Sequence, residues 1–173
     1  MKNCLIILLL FSINTFAQPG WQTLKEKDYS IKYPADWTAD KTGQMGASFF
    51  LFSPLDSESD AFRENINLIV QDLSAYNLDL NGFTTLSETQ IKTMIKNSKL
   101  IESKRENIKG NEFHKMIYSG EQSDVLLTFE QYYWVKKKTA YILTLTCTEE
   151  SFESFRNAGE EIMASFVLKS ELK

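Results

Sequence analysis

The sequence predicts an α+β protein: a mainly antiparallel sheet of about seven strands carrying two amphipathic helices, layered as an αβα sandwich. Three observations lead there. Most of the chain reads as short strands, either alternating or continuously apolar, while two segments carry a helical period instead. The connections between Leu100 and Cys147 are also too short for a parallel crossover, which needs a dozen or more residues.

The order of elements begins with a leader. Lys2 is a short positive start, Leu5 to Phe11 is an apolar run too short to span a bilayer, and Thr15-Phe16-Ala17 offers small residues for cleavage. Residues 1–17 are therefore expected to be a cleaved signal peptide, and 18–173 a single exported domain, periplasmic or extracellular. A chain of that length buries roughly 70% of its unfolded surface, enough for a core without staples.

In the domain, Tyr29, Ile31 and Tyr33 alternate with Ser30 and Lys32, which predicts a half-buried strand stopped by Pro34, with Trp37 in the turn that follows. Ser48 to Phe52 is continuously apolar and fits a strand covered on both faces. Ser53 to Glu64 is acidic and reads as a loop. Asn65 to Gln71 forms the next strand. From Leu80 to Lys96 the period is helical, with Leu80, Phe83, Leu86, Ile91 and Met94 on the face expected to be buried. Strands follow at Leu100–Ile108 and Phe113–Tyr118. Val125–Val135 and Ala140–Cys147 then make a hairpin about the lysines 136–138, apolar on both faces and so expected mid-sheet. Thr148 is expected to cap the last helix, with Glu149 and Glu150 in its first turn. Phe152, Phe155, Ile162 and Met163 form its buried stripe, and Glu153, Asn157, Glu160 and Glu161 face water. Ser165–Leu168 closes the chain as a short strand. One helix per face is the simplest cover for such a sheet.

Composition excludes several functions. The net charge of −4 argues against a phosphate-binding surface, so no nucleic-acid partner is expected. No later apolar segment is long enough for a transmembrane anchor. Cys147 is the only cysteine outside the leader, which rules out an internal disulfide. It is read as a small buried hydrophobe, with an intermolecular bridge or a nucleophile as the alternatives, and the chain is expected to be a monomer.

Candidate chemistry is sparse. His114 is the chain's only histidine and lies in a strand, with no Gly-x-Ser-x-Gly elbow to supply a partner serine, so no catalytic residue is expected. No glycine-rich phosphate cradle is visible, and no cofactor is expected. Asp56, Glu58 and Asp60 carry the spacing with which a calcium loop begins, but Ala61 stands where glycine is needed and Asn67 where a bidentate glutamate should close the cage. They are the metal candidates, for calcium if for anything. Trp21, Trp37, Trp134, Tyr76, Tyr118 and Tyr132 exceed an obvious core requirement. Any that stay exposed would mark a ligand or partner surface, and Trp21 and Tyr76 are the candidates.

The ordered pattern resembles a known family. Tyr29-Ser30-Ile31-Lys32-Tyr33-Pro34-x-x-Trp37 is similar to the opening of PsbP-like domains, a group that includes DcrB-type envelope proteins. Gly110 ahead of Phe113–Tyr118, Gln131 in the long strand, Tyr141-Ile142-Leu143-Thr144 and the terminal Ser165-Phe166 agree in order, over about residues 21–168. The resemblance implies an αβα sandwich with no shared catalytic site, acting mostly as an accessory or adaptor protein. The expected function is thus a non-enzymatic binding or assembly module of the cell envelope with a protein partner. The alternative is a small-ligand or calcium-binding periplasmic protein.

Overall fold

Side-chain alternation turns into buried and exposed rows on ten strands. In the computed structural model, residues 20–55, 57, 60–108 and 110–169 are described, so the leader, Asp56 and Glu58 lie outside the described residues. The elements are β1 (Trp21–Lys25), β2 (Tyr29–Pro34), β3 (Thr38–Asp40), β4 (Phe49–Phe52), β5 (Asn65–Asp72), α1 (Leu80–Met94), β6 (Lys96–Ile108), β7 (Asn111–Gln122), β8 (Val125–Lys136), β9 (Thr139–Thr148), α2 (Phe152–Ala164) and β10 (Val167–Leu168). Seven strands pair in the order β3-β4-β5-β9-β8-β7-β6, every neighbour antiparallel. The expected α+β architecture, with a seven-strand sheet and two helices, is what forms.

Several details differ from expectation. The Tyr29 strand does not join the main sheet but forms a second, three-stranded one in the order β1-β2-β10. Thr148 ends β9 rather than capping α2. Ser151 occupies the cap position, its N–H held by the Thr148 hydroxyl at 3.1 Å, and Glu153 is the acid of the first turn. Leu86 and Met94 were expected to be buried, yet both are exposed, Met94 by 78%. Glu160, expected to face water, turns toward the sheet.

The two faces of the main sheet are covered differently. On one, α2 and the small sheet pack on Phe49, Leu51, Ile66, Leu68, Leu143, Leu145 and Cys147, forming the larger core. Gly159 of α2 rides so close to β9 that a Cβ there would sit 2.5 Å from a Leu145 methyl. On the other face α1 packs with Phe83 and Ile91 against Met116, Tyr118, Phe129 and Tyr133. Asp79 starts α1 by accepting a hydrogen bond from the Gly82 N–H at 2.8 Å. Six strand spacings of about 4.8 Å give a sheet near 29 Å wide, whereas a helix with side chains is only about 10 Å across. One helix therefore cannot cover this face. Among the described residues no helix is long and apolar enough to cross a membrane.

Inside the larger core lies an ion network. Glu130 of β8 is fully buried, and its carboxylate stands 2.9 Å from Lys115 Nζ on β7. The same ammonium donates to Glu160 of α2 at 2.8 Å, and Glu160 accepts from Arg156 Nε at 3.2 Å. Burial pushes the Glu130 carboxyl above its ordinary pKa, and Lys115 pulls it back only in part. Burial also works against the charge of Lys115, but the carboxylates of Glu160 and Glu130 prevail and raise its pKa. The network ties two strands and a helix together.

Two expectations follow from this core. Lys115→Met leaves the buried Glu130 carboxylate with only Arg156 Nε, 4.0 Å away, as a cationic partner and should cost about 3–5 kcal/mol in urea unfolding, with most of it recovered when Glu130→Leu is added. A single-variant loss below about 1 kcal/mol would show that the pair is not needed. Cys147 is fully buried and burial pushes its thiol pKa up, so a thiol reagent should label it only after unfolding. Rapid labelling of the native protein would contradict this, as would a disulfide-linked dimer on a non-reducing gel.

Candidate functional site

The uncovered part of the α1 face is a groove. Its floor is built from alternate residues of β5, β9 and β8, which point away from the larger core: Asn65, Asn67 and Ile69, then Thr144 and Thr146, then Leu127, Phe129 and Gln131. Met45, Ala47 and Phe62 wall one side, and Leu86, Gln90 and Met94 of α1 wall the other. The groove consists of two clefts of about 440 and 360 Å³ that share Ile69, Tyr118 and Gln131. Phe129 stacks on Tyr118 with centroids 4.9 Å apart. Gln131 is held in place at the junction, since its amide donates to Thr144 Oγ1 at 3.1 Å and its carbonyl accepts from the Tyr133 hydroxyl. The lining is apolar with fixed amides and hydroxyls, and carries no charge. Such a surface can bind by apolar contact and by hydrogen bonding.

A model of the PsbP-like protein family matches residues 13–168. The chain belongs to the PsbP-like family. Its fold is shared by three solved structures of low identity. PA94 of Pseudomonas aeruginosa, a protein of unknown function, is 14% identical, with 86% of this chain and 97% of that one covered at a TM-score of 0.62. CyanoP of Synechocystis sp. PCC 6803, a cyanobacterial PsbP, is 14% identical over 92% and 98%, at 0.57. LpqN of Mycobacterium tuberculosis, described as involved in cell envelope biogenesis, is 10% identical over 86% and 91%, at 0.61. No curated protein matches this PsbP-like chain in sequence.

Of the candidate site residues singled out from the sequence, only Tyr118 lines this groove of the PsbP-like fold. Of the six aromatics, Trp37, Trp134, Tyr118 and Tyr132 are buried, while Trp21 is 42% and Tyr76 58% exposed. Those two are not brought together: Trp21 is on β1 of the small sheet and Tyr76 lies between β5 and α1, and neither lines the groove. Asp56 and Glu58 lie outside the described residues. The Asp60 carboxylate accepts from the Phe62 N–H at 3.1 Å, closing a local turn beside the groove wall. Among the described residues no three acidic, histidine or cysteine side chains gather around a possible metal position.

His114 acquires a serine partner that sequence reasoning did not find. Ser103 Oγ stands 2.7 Å from His114 Nε2, across the β6–β7 pair. The Ser103 hydroxyl donates to Glu88 of α1 at 2.5 Å, so the imidazole is the donor to Ser103, and Nδ1 is buried without a partner. The relay fastens α1 to the sheet.

Burial lowers the His114 pKa, the Arg105 guanidinium lowers it further, and Glu88 offsets part. The unfolded chain then takes up this proton before the folded one does. The stability gained is complete above about pH 6.5 and is lost as pH falls below it. Because the chain has one histidine, its NMR ring signals should titrate with a single midpoint below about 6.5. A midpoint at or above that value would exclude the half-buried, neutral imidazole.

Proposed function

We propose that this PsbP-like chain is an exported, non-catalytic binding module of the cell envelope that holds a protein partner in the α1-side groove. The observation that carries the reading is the uncovered half of the sheet, whose floor sets Ile69, Leu127 and Phe129 among amide and hydroxyl side chains, with a fixed amide at its centre. Sites for small molecules enclose most of their ligand. This groove is open along its length, and its walls carry the exposed side chains Met45, Leu86 and Met94. Unbranched methionines adapt to an extended apolar surface at little strain. Export is supported by the leader pattern of residues 1–17, and an envelope role by the likeness to LpqN. A protein segment laid along the floor would bury Ile69 and Val125 and exchange hydrogen bonds with Gln131 and Asn67.

Photo-crosslinking residues placed in living cells at Ile69 and at Trp21 test the assignment. Adducts to one envelope protein are expected from Ile69 and not from Trp21. Ile69→Asp, at a half-open position, should reduce capture of that protein about tenfold or more while leaving the melting temperature nearly unchanged. Undiminished capture by Ile69→Asp, or adducts from the Trp21 side alone, would refute the groove as the binding surface.

A further inference from the structure

Among the described residues, helix α1 leaves a row of its side chains uncovered. Leu86, Gln90 and Met94 follow one another at intervals of four residues, so they form a single ridge along the helix, and that ridge faces the groove. Leu86 and Met94 are exposed, and so are Ile69 of β5 and Val125 of β8 along the floor. A ridge with this spacing packs into the side-chain grooves of a second helix. The space has the matching size. The two clefts follow β8 from Leu127 to Tyr133, about 20 Å at the rise of a strand, which a helix covers in about thirteen residues. From β8 through β9 to β5 the floor is two strand spacings across, about 10 Å, the diameter of one helix.

Backbone and charge narrow what fills it. Each of β8, β9 and β5 has a strand on both sides, so their backbone groups are already paired and the floor offers side chains alone. An extended segment lying there would press unpaired N–H and C=O groups against Ile69, Leu127 and Phe129, whereas a helix pairs its own. Charge sets the second limit. None of the residues lining the two clefts is charged, although charged residues make up 24% of the chain. A lysine or carboxylate pushed onto this floor would lose its water and find no counter-charge. Asn67, Gln90 and Gln131 instead present amides, which suit hydroxyl and amide side chains. We propose that the groove takes an amphipathic helix of another envelope protein, which lies beside α1 on an uncharged face of apolar, hydroxyl and amide side chains. This rests on the groove reading above and adds the form and chemistry of the partner. Bound there, the helix completes the layer that α1 begins.

The test places photo-crosslinking residues at Leu86 and at Met94 of the full chain in living cells and sequences the adducts. Eight helical steps separate the two positions, about 12 Å. On a partner helix the residues caught should lie about seven or eight apart, and on an extended segment about three or four. Expected is one segment of another protein with the helical spacing and no charged residue at the positions caught. Leu86→Lys and Met94→Lys, both at exposed positions, should each reduce the yield of the Ile69 adduct about tenfold at an unchanged melting temperature. Thr85→Lys, exposed and outside both clefts, should leave that yield as it is. Caught residues three or four apart, charged residues among them, or adducts at Ile69 with none at Leu86 and Met94 would overturn the helix and leave the groove in place. Absence of the Ile69 adduct itself would remove the groove reading, and the helix with it. Adducts to a second copy of this chain, or to a molecule that is not protein, would overturn the partner.

Discussion

The central hairpin of β8 and β9 is buried on both faces, and that constraint governs the rest of the molecule. Phe129 and Tyr133 point to one side, Tyr132 and Trp134 to the other, and all four are buried. A strand pair of this kind is stable only with a layer on each side. The chain supplies two layers of unequal width. One is α2 together with a whole three-stranded sheet; the other is α1 alone. The unequal cover leaves the groove on one face and closes more of the other.

Burial on both sides also explains the ion network. Glu130 is in phase with Tyr132 and Trp134, on the face with the thicker cover, where water cannot reach it. A carboxylate there needs a partner from a neighbouring strand, and Lys115 is in phase with Phe113 and Ile117 on the same face. Replacing such a pair with apolar residues is often neutral for stability. The pair also fits one register only, since a one-residue slip of β7 against β8 would send Lys115 to the other face. The long edge strand β6 follows a related logic. Among the described residues its outer edge has no partner strand, and Lys96, Lys99, Glu102, Lys104 and Glu106 make it a poor template for another chain.

Much of this was legible in the residues. The two-sided hairpin, the helical period of Leu80 to Met94 and the short turns carry their signals locally, so the fold class could be read directly. The separation of β2 into its own sheet could not, since Tyr29, Ile31 and Tyr33 alternate identically whichever sheet they join. The groove was half visible. Asn65, Asn67, Thr144 and Thr146 are polar in the phase opposite the core, but only the pairing of β5 with β9 sets them side by side. The Ser103–His114–Glu88 relay was invisible, because it depends on the register of an irregular strand and on where a helix lands. The buried Glu130 did have a signal: a lone acid within a doubly apolar strand.

The order of strands also has a bearing on how the chain finds its structure. From β6 to β9 each strand pairs with the one before it through a tight turn, so this meander can assemble from contacts close in sequence. The pairs β1–β2, β3–β4 and β4–β5 are local as well, but two pairings are distant: Asn65 must find Thr146, and Ser30 must find Val167. Their loop-closure entropy favours forming them after the meander exists as a template. The small sheet, sealed by the two residues of β10, is then the last piece to close, and a chain caught before that step exposes the aromatic face that Phe166 covers.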